Sequence, residues 1–510
     1  MTGPSVLREP TQASPAQVRR APACFVDLNL DQVIASITAE RDEYELRAYF
    51  WTPLSDPDAV AYRHEVFRDL MHEELRHHVE AFADDMHQVR VRARQAGLLR
   101  DVQQRRGLHL DATSSYCEAV ERLASALSSL RPRSRALRAF SSFLGRYLAS
   151  PTYAALREDT TRLRRALDEV RYGLTILPDR VMIRKGAAGV DDGVALERSF
   201  AKFGHGATGD AAATLPASLA MNSVESAILE RLTWLYPEVF GQLESFVDQY
   251  ADYVDPTITA FDREVQFYLA YLDYVARFEA AGLGFCFPAI AAGPEGLHVE
   301  ASFDAALAGR LLEDGANVVR NDFWLERDER IFVVTGANQG GKTTFARMIG
   351  QVHYLASLGC PVPGRAACVP LCDELLTHFE KEEDLSLLRG KLQDELIRLQ
   401  ELLGRATPSS LLIVNEVFAS TTADDARVLG REVLARLLEL GLVAVWVTFI
   451  EELASFDARV VSVVSTVDPV DPLRRTFRLL RRPADGRAHA LAIAKAHRLT
   501  YEDLRARLRP

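Results

Sequence analysis

The first half of the chain shows the spacing of apolar residues that is typical of long amphipathic helices. Between residues 223 and 250, apolar side chains recur at steps of three and four, which places them on one stripe of a helix. The same spacing recurs in further stretches, over residues 257–280, 26–50, 57–95, 112–130, 134–148 and 152–172. We therefore predict long packed helices over residues 23–285.

Two segments of this half do not follow the helical pattern. Residues 172–183 alternate like two short strands around a Pro178-Asp179 turn, and a stretch rich in Gly, Ala and Asp follows to about Pro216. We expect a small β-containing tip near 172–216. The Pro, Ala, Ser and Gln content of residues 1–22 predicts a disordered leader.

A different pattern begins at about residue 286, where short apolar strands alternate with helices. The runs 331–334, 411–414 and 443–448 are almost continuously apolar, as buried parallel strands are. Strand, loop and helix in repetition predict a doubly wound α/β domain over residues 286–510. The predicted fold class is therefore α + α/β, a bundle of long helices followed by a doubly wound domain.

Composition limits the classes of protein that fit this pattern. A chain of 510 residues is too long for one ordinary core, which predicts two or three domains. No run approaches about 18 consecutive apolar residues, and the N-terminus has no apolar signal region, so we expect neither a membrane span nor a secretory signal. Six sparse cysteines predict a cytoplasmic protein.

A glycine-rich loop follows the predicted strand 331–334 and opens a helix. Gly336, Gly341, Lys342 and Thr343 fit the pattern G-x-x-x-x-G-K-[S/T]. The glycines let backbone N–H groups surround a phosphate, Lys342 reaches the β/γ-phosphates, and the Thr343 hydroxyl can ligate Mg²⁺. We predict a nucleotide site formed by Gly336, Ala337, Asn338, Gln339, Gly340, Gly341, Lys342, Thr343 and Thr344.

The end of the predicted strand 411–414 is the candidate for the second half of this site. Glu416 is placed to act as general base for the attacking water, and with Lys342 it forms the predicted catalytic pair; the alternative is an ordinary acid at a strand end. Asn415 stands where an Asp normally holds the Mg²⁺ shell. We expect ATP and Mg²⁺ as cofactors. Because an amide brings no negative charge, we also expect reduced metal affinity and slow ATP turnover.

These segments resemble the ATPase domain of the MutS family of DNA mismatch-repair proteins. TGANQGGKTTFARMIG is similar to the family's TGPNxGGKST loop, and LLIVNEVFASTTADDA to its DEIGRGTSTYDG motif, with Glu416, Thr421 and Asp425 kept. The resemblance extends weakly over residues 26–283. It implies a P-loop ATPase domain of the ABC type, and a dimer whose lever helices form a clamp around DNA, with ATP sites completed across the dimer.

Several positions depart from the family's pattern. We expect no mismatch-reading domain, because residues 1–25 leave no room for one. The family's trans-acting signature corresponds to 383–396, where Arg389 and Glu395 fit but Gly390 replaces the serine that contacts the partner's γ-phosphate. Phe449 replaces a histidine. With Asn415, these departures predict weak or slow ATP hydrolysis.

A cluster of arginines in the helical half could line such a clamp. They could contact DNA phosphates without reading bases, or they could lie on exposed helix faces and pair with nearby acids. The candidates for DNA contact are Arg90, Arg92, Arg94, Arg105 and Arg106.

The leading hypothesis is an ATP-dependent DNA-binding protein of DNA repair or recombination, in which ATP binding and hydrolysis switch a dimeric clamp. We expect a homodimer, with a heterodimer as the alternative, that binds double-stranded or branched DNA or a repair-protein partner. The second hypothesis is a nucleotide-binding scaffold with little or no hydrolysis. The third is an ABC-type ATPase that acts on protein partners, which the net charge of −11 favours.

Overall fold

The computed structural model describes residues 3–9, 20–177, 180–186, 221–380, 390–468, 474–484, 499–501 and 505. The chain divides into two compact units, one of residues 1–11 and 68–266, the other of residues 12–67 and 267–510. The dividing lines fall within two helices, Pro57–Leu70 and Pro256–Glu279. These dividing lines differ from the predicted boundary at 285/286, and an N-terminal stretch belongs to the second unit.

The first unit is built from helices and one hairpin. Strands β1 (Tyr172–Leu177) and β2 (Arg180–Lys185) pair antiparallel, which confirms the two predicted strands. The predicted turn at Pro178-Asp179 and most of the stretch that follows it to residue 216 lie outside the described residues. The helices that lie wholly in this unit are Glu73–Leu98, Val102–Leu130, Arg135–Leu148, Pro151–Asp168, Ser223–Leu235 and Pro237–Gln249.

The helix predicted over 223–250 is two helices. Tyr236 has φ −127° and ψ 55°, outside the helical region, and Pro237 begins the second helix. Proline disfavours the helical conformation of the residue before it and has no N–H for the helical ladder. The apolar stripe continues across this break, which is why spacing alone predicted one helix.

The start of the predicted leader is packed against the first unit. Val6 and Leu7 are buried, and the Val6 N–H and the Ser5 hydroxyl both donate to Glu264 Oε2 at 2.8 Å. The prediction of disorder is therefore wrong for residues 3–9, because two apolar side chains and a buried carboxylate hold them. Residues 10–19 lie outside the described part of the chain.

The second unit contains three sheets. The two small sheets have the strand orders β3-β8 and β4-β9-β5-β6. The large sheet has the order β10-β11-β12-β7-β13-β14, in which the first five strands are parallel and β14 is antiparallel to β13. In chain order the strands are β3 (Phe285–Cys286), β4 (Ala289–Ala291), β5 (His298–Ser302), β6 (Asn321–Trp324), β7 (Ile331–Gly336), β8 (Val362–Pro363), β9 (Ala366–Pro370), β10 (Leu375–Phe379), β11 (Leu411–Asn415), β12 (Val443–Val447), β13 (Val460–Val467) and β14 (Arg475–Arg481).

Helices cover both faces of the large sheet. On one face, helix Lys342–Ser357 approaches so closely that a Cβ on Gly350 would lie 2.8 Å from the side chain of Ile413. On the other face, helices Lys391–Arg405 and Ala423–Leu440 pack on a core of strand residues that includes Trp446. The three apolar runs that were predicted as buried parallel strands are β7, β11 and β12, which confirms the α/β arrangement of this part.

The N-terminal stretch of the second unit is held by helix Lys342–Ser357 and strand β10. The Arg347 Nε–H donates to the carbonyl of Asp27 at 2.8 Å, and the Gln351 amide donates to the carbonyl of Leu28 at 2.9 Å. The Thr377 hydroxyl donates to the Asp27 carboxylate at 2.6 Å. These contacts place residues 20–67 in the second unit rather than with the long helices.

That stretch does not form the single helix predicted over 26–50. Its chain turns at Asn29 and Glu45, which have φ 55° and 49°, and no continuous helix passes through such residues. The remaining helices of this unit are Cys24–Asp27, Leu30–Ile37, Arg47–Phe50 and Ala305–Glu313. Within the described residues, no helix has the length and apolar character needed to span a membrane.

Candidate nucleotide-binding site

The glycine-rich loop joins β7 to helix Lys342–Ser357 at the carboxyl edge of the large sheet. Gly336 and Gly341 have φ 107° and 91°, which favour glycine. A Cβ on Gly336 or on Gly340 would lie 2.6 Å from the Ser465 hydroxyl of β13, so the neighbouring strand leaves no room for a side chain. Asn338 and Gln339 are exposed, while Ala337 and Gly340 are buried. Backbone N–H groups can therefore line the loop, as phosphate binding requires.

The side chain of Lys342 lies on the inside of this loop. Its ammonium donates to the carbonyls of Gly336 and Ala337 at 3.0 and 3.3 Å and to Asn338 Oδ1 at 3.1 Å. Burial lowers the pKa of Lys342, the charge of Glu416 raises it, and the charge of Arg475 lowers it further. Three oxygens of the loop therefore hold the Lys342 ammonium on the inside of the loop.

The structure brings the two predicted metal-site residues together. The Thr343 hydroxyl donates to Asn415 Oδ1 at 2.9 Å, and Asn415, at the end of β11, is 9% exposed. The two oxygen atoms that could ligate a metal ion, the Thr343 hydroxyl and Asn415 Oδ1, are both uncharged. No cluster of three His, Cys, Asp or Glu side chains suited to a metal ion occurs in the part of the chain that the structure describes. Thr343 and Asn415 thus offer a divalent cation two oxygens without charge.

Glu416 stands directly after Asn415, where the chain turns away from β11. It has φ 54°, its N–H donates to the carbonyl of Val447 at 2.9 Å, and its side chain is half-buried. Its negative charge raises the pKa of Lys342. Glu416 therefore lies near the phosphate loop.

The predicted trans-acting signature is only partly within the described residues. Arg389 lies outside them, and Gly390 is the residue before helix Lys391–Arg405, with an extended backbone. Glu395 is 5% exposed and accepts hydrogen bonds from the Phe418 N–H at 3.2 Å and the Ser420 hydroxyl at 3.4 Å. The structure thus places Glu395 inside its own unit, where it holds the segment that follows Glu416.

Three residues near the site were missed or only partly understood from the sequence. Phe449, which replaces the family's histidine, is 47% exposed just beyond β12. Ser465 packs beneath the loop, and its place in the apolar run VVSVVSTV was the only signal for it. Arg475 of β14 acts on Lys342 through its charge, and nothing in the local sequence marks it.

The candidate DNA-contacting arginines lie on helices of the first unit, and some of them already have partners there. Arg90 forms an ion pair with Asp262, and Arg106 forms one with Glu244. Arg92 donates a hydrogen bond to the Ser115 hydroxyl. Arg94 and Arg105 have exposed side chains. The cluster in the sequence is therefore not one uniform basic surface.

Comparison with known proteins finds similarity over the segment that contains these residues. Residues 332–497 match the family model for MutS domain V. The chain is 28% identical over 141 residues to the DNA mismatch repair protein MutS of Thermotoga sp. (strain RQ2), which covers 28% of this chain and 18% of that protein. It is 30% identical over 188 residues to the endonuclease MutS2 of Gemmatimonas aurantiaca, which covers 36% of this chain and 23% of that protein.

A longer alignment exists with the DNA mismatch repair protein MutS of Chlorobaculum tepidum, at 26% identity over 291 residues, covering 55% of this chain and 32% of that protein. The chain thus spans less than a third of the length of these curated relatives. The loop, Lys342, Thr343, Asn415 and Glu416 all lie inside the matched segment. Over residues 332–497, the chain is therefore similar to domain V of the MutS family.

Proposed function

We propose that the chain binds ATP at the loop 336–344 and uses the nucleotide to change its binding to DNA as a dimer, in DNA repair or recombination. The observation that carries the nucleotide part is the buried ammonium of Lys342, held by three loop oxygens beside the Thr343–Asn415 hydrogen bond. The DNA part rests on the family and on its relatives, which are named as DNA mismatch repair proteins.

The residues present fit a nucleoside triphosphate better than they fit the Mg²⁺ ion that accompanies it. Backbone N–H groups of the loop and Lys342 would hold the phosphates, and Glu416 would orient the attacking water. Thr343 and Asn415 would hold Mg²⁺, which would neutralise part of the phosphate charge. Because those two donors carry no charge, we propose slow hydrolysis.

The first test is ATP binding and steady-state turnover by the full chain, with and without duplex and branched DNA. Lys342→Ala should abolish binding. Lys185→Ala is the matched control, because Lys185 is an exposed lysine of β2 in the first unit and is not among the residues of the predicted nucleotide site. If Lys342→Ala binds ATP as the wild type does, the assignment of the loop fails.

The dimer and its switch are tested separately. Sedimentation and DNA-binding titrations with and without ATP should show that the nucleotide changes either self-association or DNA affinity. If neither changes although ATP binds, the clamp proposal is wrong. Binding to a protein partner, with no salt-dependent affinity for any DNA, would then favour an ABC-type ATPase that acts on proteins.

A second candidate function is a nucleotide-gated scaffold that does not turn ATP over, and the neutral Thr343–Asn415 pair favours it. Asn415→Asp decides between the two readings. An Asp at this position keeps the acceptor for the Thr343 hydroxyl and supplies the missing charge. Turnover should rise at least about tenfold if only the metal ligand limits hydrolysis. Turnover that stays at the level of Lys342→Ala, with ATP bound, identifies a scaffold.

A further inference from the structure

The side chain of Ser465, on β13, lies directly against the phosphate loop. A Cβ on Gly336 or on Gly340 would be 2.6 Å from Ser465 Oγ, so this hydroxyl stands against both glycines. Ser465 is 1% exposed, and none of the residues that the structure describes forms a hydrogen bond with its hydroxyl. Because a buried hydroxyl without a partner is unfavourable, a donor is kept here at a cost while the loop has this arrangement.

The carbonyl of Ala337 lies close to the same hydroxyl. A Cβ on Gly340 would be 2.8 Å from the Ala337 oxygen and 2.6 Å from Ser465 Oγ, so the two oxygens flank one position in the loop. The Ala337 oxygen accepts hydrogen bonds from the Lys342 ammonium at 3.3 Å and from the Gly340 N–H at 3.2 Å. An unused donor therefore lies beside an acceptor that the loop itself now supplies.

Phosphate binding would change the donors that this carbonyl has. In a loop of this pattern the lysine reaches the β/γ-phosphates, so Lys342 would give up its hydrogen bonds to the loop carbonyls. Ala337 is 3% exposed, and a buried carbonyl needs a donor from within the protein. The Ser465 hydroxyl is a buried donor at the right side of the loop to replace the ammonium.

We infer that Ser465 is a positioning residue of the nucleotide site, whose hydroxyl donates to the Ala337 carbonyl when the phosphates draw Lys342 away. The inference rests on the proposed function and adds to it a residue that favours the nucleotide-bound form of the loop. A contact made in only one of two states shifts the equilibrium toward that state. Ser465 acts through the loop, and its hydroxyl touches neither the phosphates nor the attacking water.

The test is equilibrium binding of ATP to the full chain by calorimetry. Ser465→Ala should weaken binding about three- to tenfold, which corresponds to the loss of one hydrogen bond. Ser462→Ala is the matched control. Ser462 lies on the same strand and its Oγ is also buried without a hydrogen-bond partner, but it pairs with Val333 in the body of the sheet. Ser462→Ala should leave ATP affinity unchanged.

A second variant separates hydrogen bonding from packing. Ser465→Cys fills the space beneath the loop but offers only a weak S–H donor, so it should also bind ATP more weakly than the wild type. Urea unfolding without nucleotide gives the other readout. Because the hydroxyl has no partner in this state, Ser465→Ala should unfold at the same urea concentration as the wild type or at a higher one.

The outcomes separate this inference from the proposed function. Wild-type protein that does not bind ATP refutes the proposed nucleotide site itself. If the wild type binds and Ser465→Ala binds equally well, the inference is overturned and the site stands. The inference also fails if Ser465→Cys binds as the wild type does, because packing is then sufficient. It fails again if Ser465→Ala is less stable than Ser462→Ala without nucleotide, because the hydroxyl then already has a partner.

Discussion

Glu395 is the residue whose loss should distinguish an internal role from a role on a partner's nucleotide. It is 5% exposed on helix Lys391–Arg405, and it accepts the Phe418 N–H at 3.2 Å and the Ser420 hydroxyl at 3.4 Å. The second distance is long, so most of the contribution comes from the first. Glu395→Ala leaves the buried Phe418 N–H without this acceptor, which should cost about 1–3 kcal/mol of stability.

The backbone of the segment that Glu395 holds is strained, and this strain reduces the loss of stability expected for Glu395→Ala. Glu416 and Phe418 have φ 54° and 67°, a conformation that side chains other than glycine adopt at a cost of about 1–3 kcal/mol each. Without Glu395 the segment can relax and recover part of that strain, so we expect a loss in the lower part of the range. The same relaxation moves Glu416 away from the loop and should lower ATP turnover. Glu395→Gln keeps an oxygen acceptor and should lose about half as much.

The control for this prediction is Glu401→Ala. Glu401 lies on the same helix and is exposed. Both variants exchange Glu for Ala within one helix, so the change in helix propensity is nearly the same and cancels in the difference. Urea unfolding gives the stabilities, and hydrogen exchange over residues 411–420 reports the local effect. If the free energies of unfolding of Glu395→Ala and Glu401→Ala agree within about 0.5 kcal/mol, Glu395 does not hold this segment.

Two further changes test the packing of the loop and of the helical unit. Gly340→Ala places a Cβ 2.6 Å from the Ser465 hydroxyl and should lower ATP affinity at least about tenfold. Gly404→Ala is the control, because a Cβ there meets open space. It should leave ATP affinity unchanged in the same titration and add up to about 1 kcal/mol of stability. Burial raises the pKa of Asp111 from 3.8 to about 6, above its value in the unfolded chain. The resulting contribution to stability is present below pH 3.8 and lost as the pH rises through about 6, and Asp111→Asn should flatten this part of the pH profile in urea unfolding.

The nucleotide loop could be predicted because its chemistry is contained in ten consecutive residues. Gly336, Gly341, Lys342 and Thr343 carry the phosphate pattern, and the apolar run before them predicts the strand that presents it. Asn415 and Glu416 could be found for the same reason, because they end the other apolar strand that the pattern marks. The structure brings Thr343 Oγ1 and Asn415 Oδ1 to 2.9 Å although β12 lies between β7 and β11, because both residues lie at the carboxyl edge of the same parallel strands.

What the sequence did not reveal depends on pairings between distant parts of the chain. Ser465 lies against the loop because β13 lies beside β7, a neighbourhood that no local pattern contains. The N-terminal stretch was assigned to the helical domain because its apolar spacing looks helical, but it packs on helix Lys342–Ser357, more than 300 residues away in the sequence. Pro237, in contrast, was a local signal that the apolar spacing outweighed.

The arginine cluster shows how the partner of a charge decides what that charge can do. Arg90 is paired with Asp262, whose side chain is 3% exposed, so removing the arginine takes an ion-pair partner from a buried carboxylate and should cost up to about 3–5 kcal/mol. Arg106 is paired with Glu244, whose side chain is 55% exposed, and such a pair contributes about 0–1 kcal/mol. Glu244 can therefore lose Arg106, whose own side chain is 18% exposed, at little electrostatic cost, whereas Asp262 cannot lose Arg90 at little cost. Arg90→Ala should lower the stability of the first unit in urea unfolding, while Arg106→Ala should leave it nearly unchanged and make the salt dependence of DNA binding shallower by about one counterion. If Arg90→Ala instead leaves stability unchanged and weakens DNA binding, Arg90 is available to phosphate and its ion pair does not decide its role.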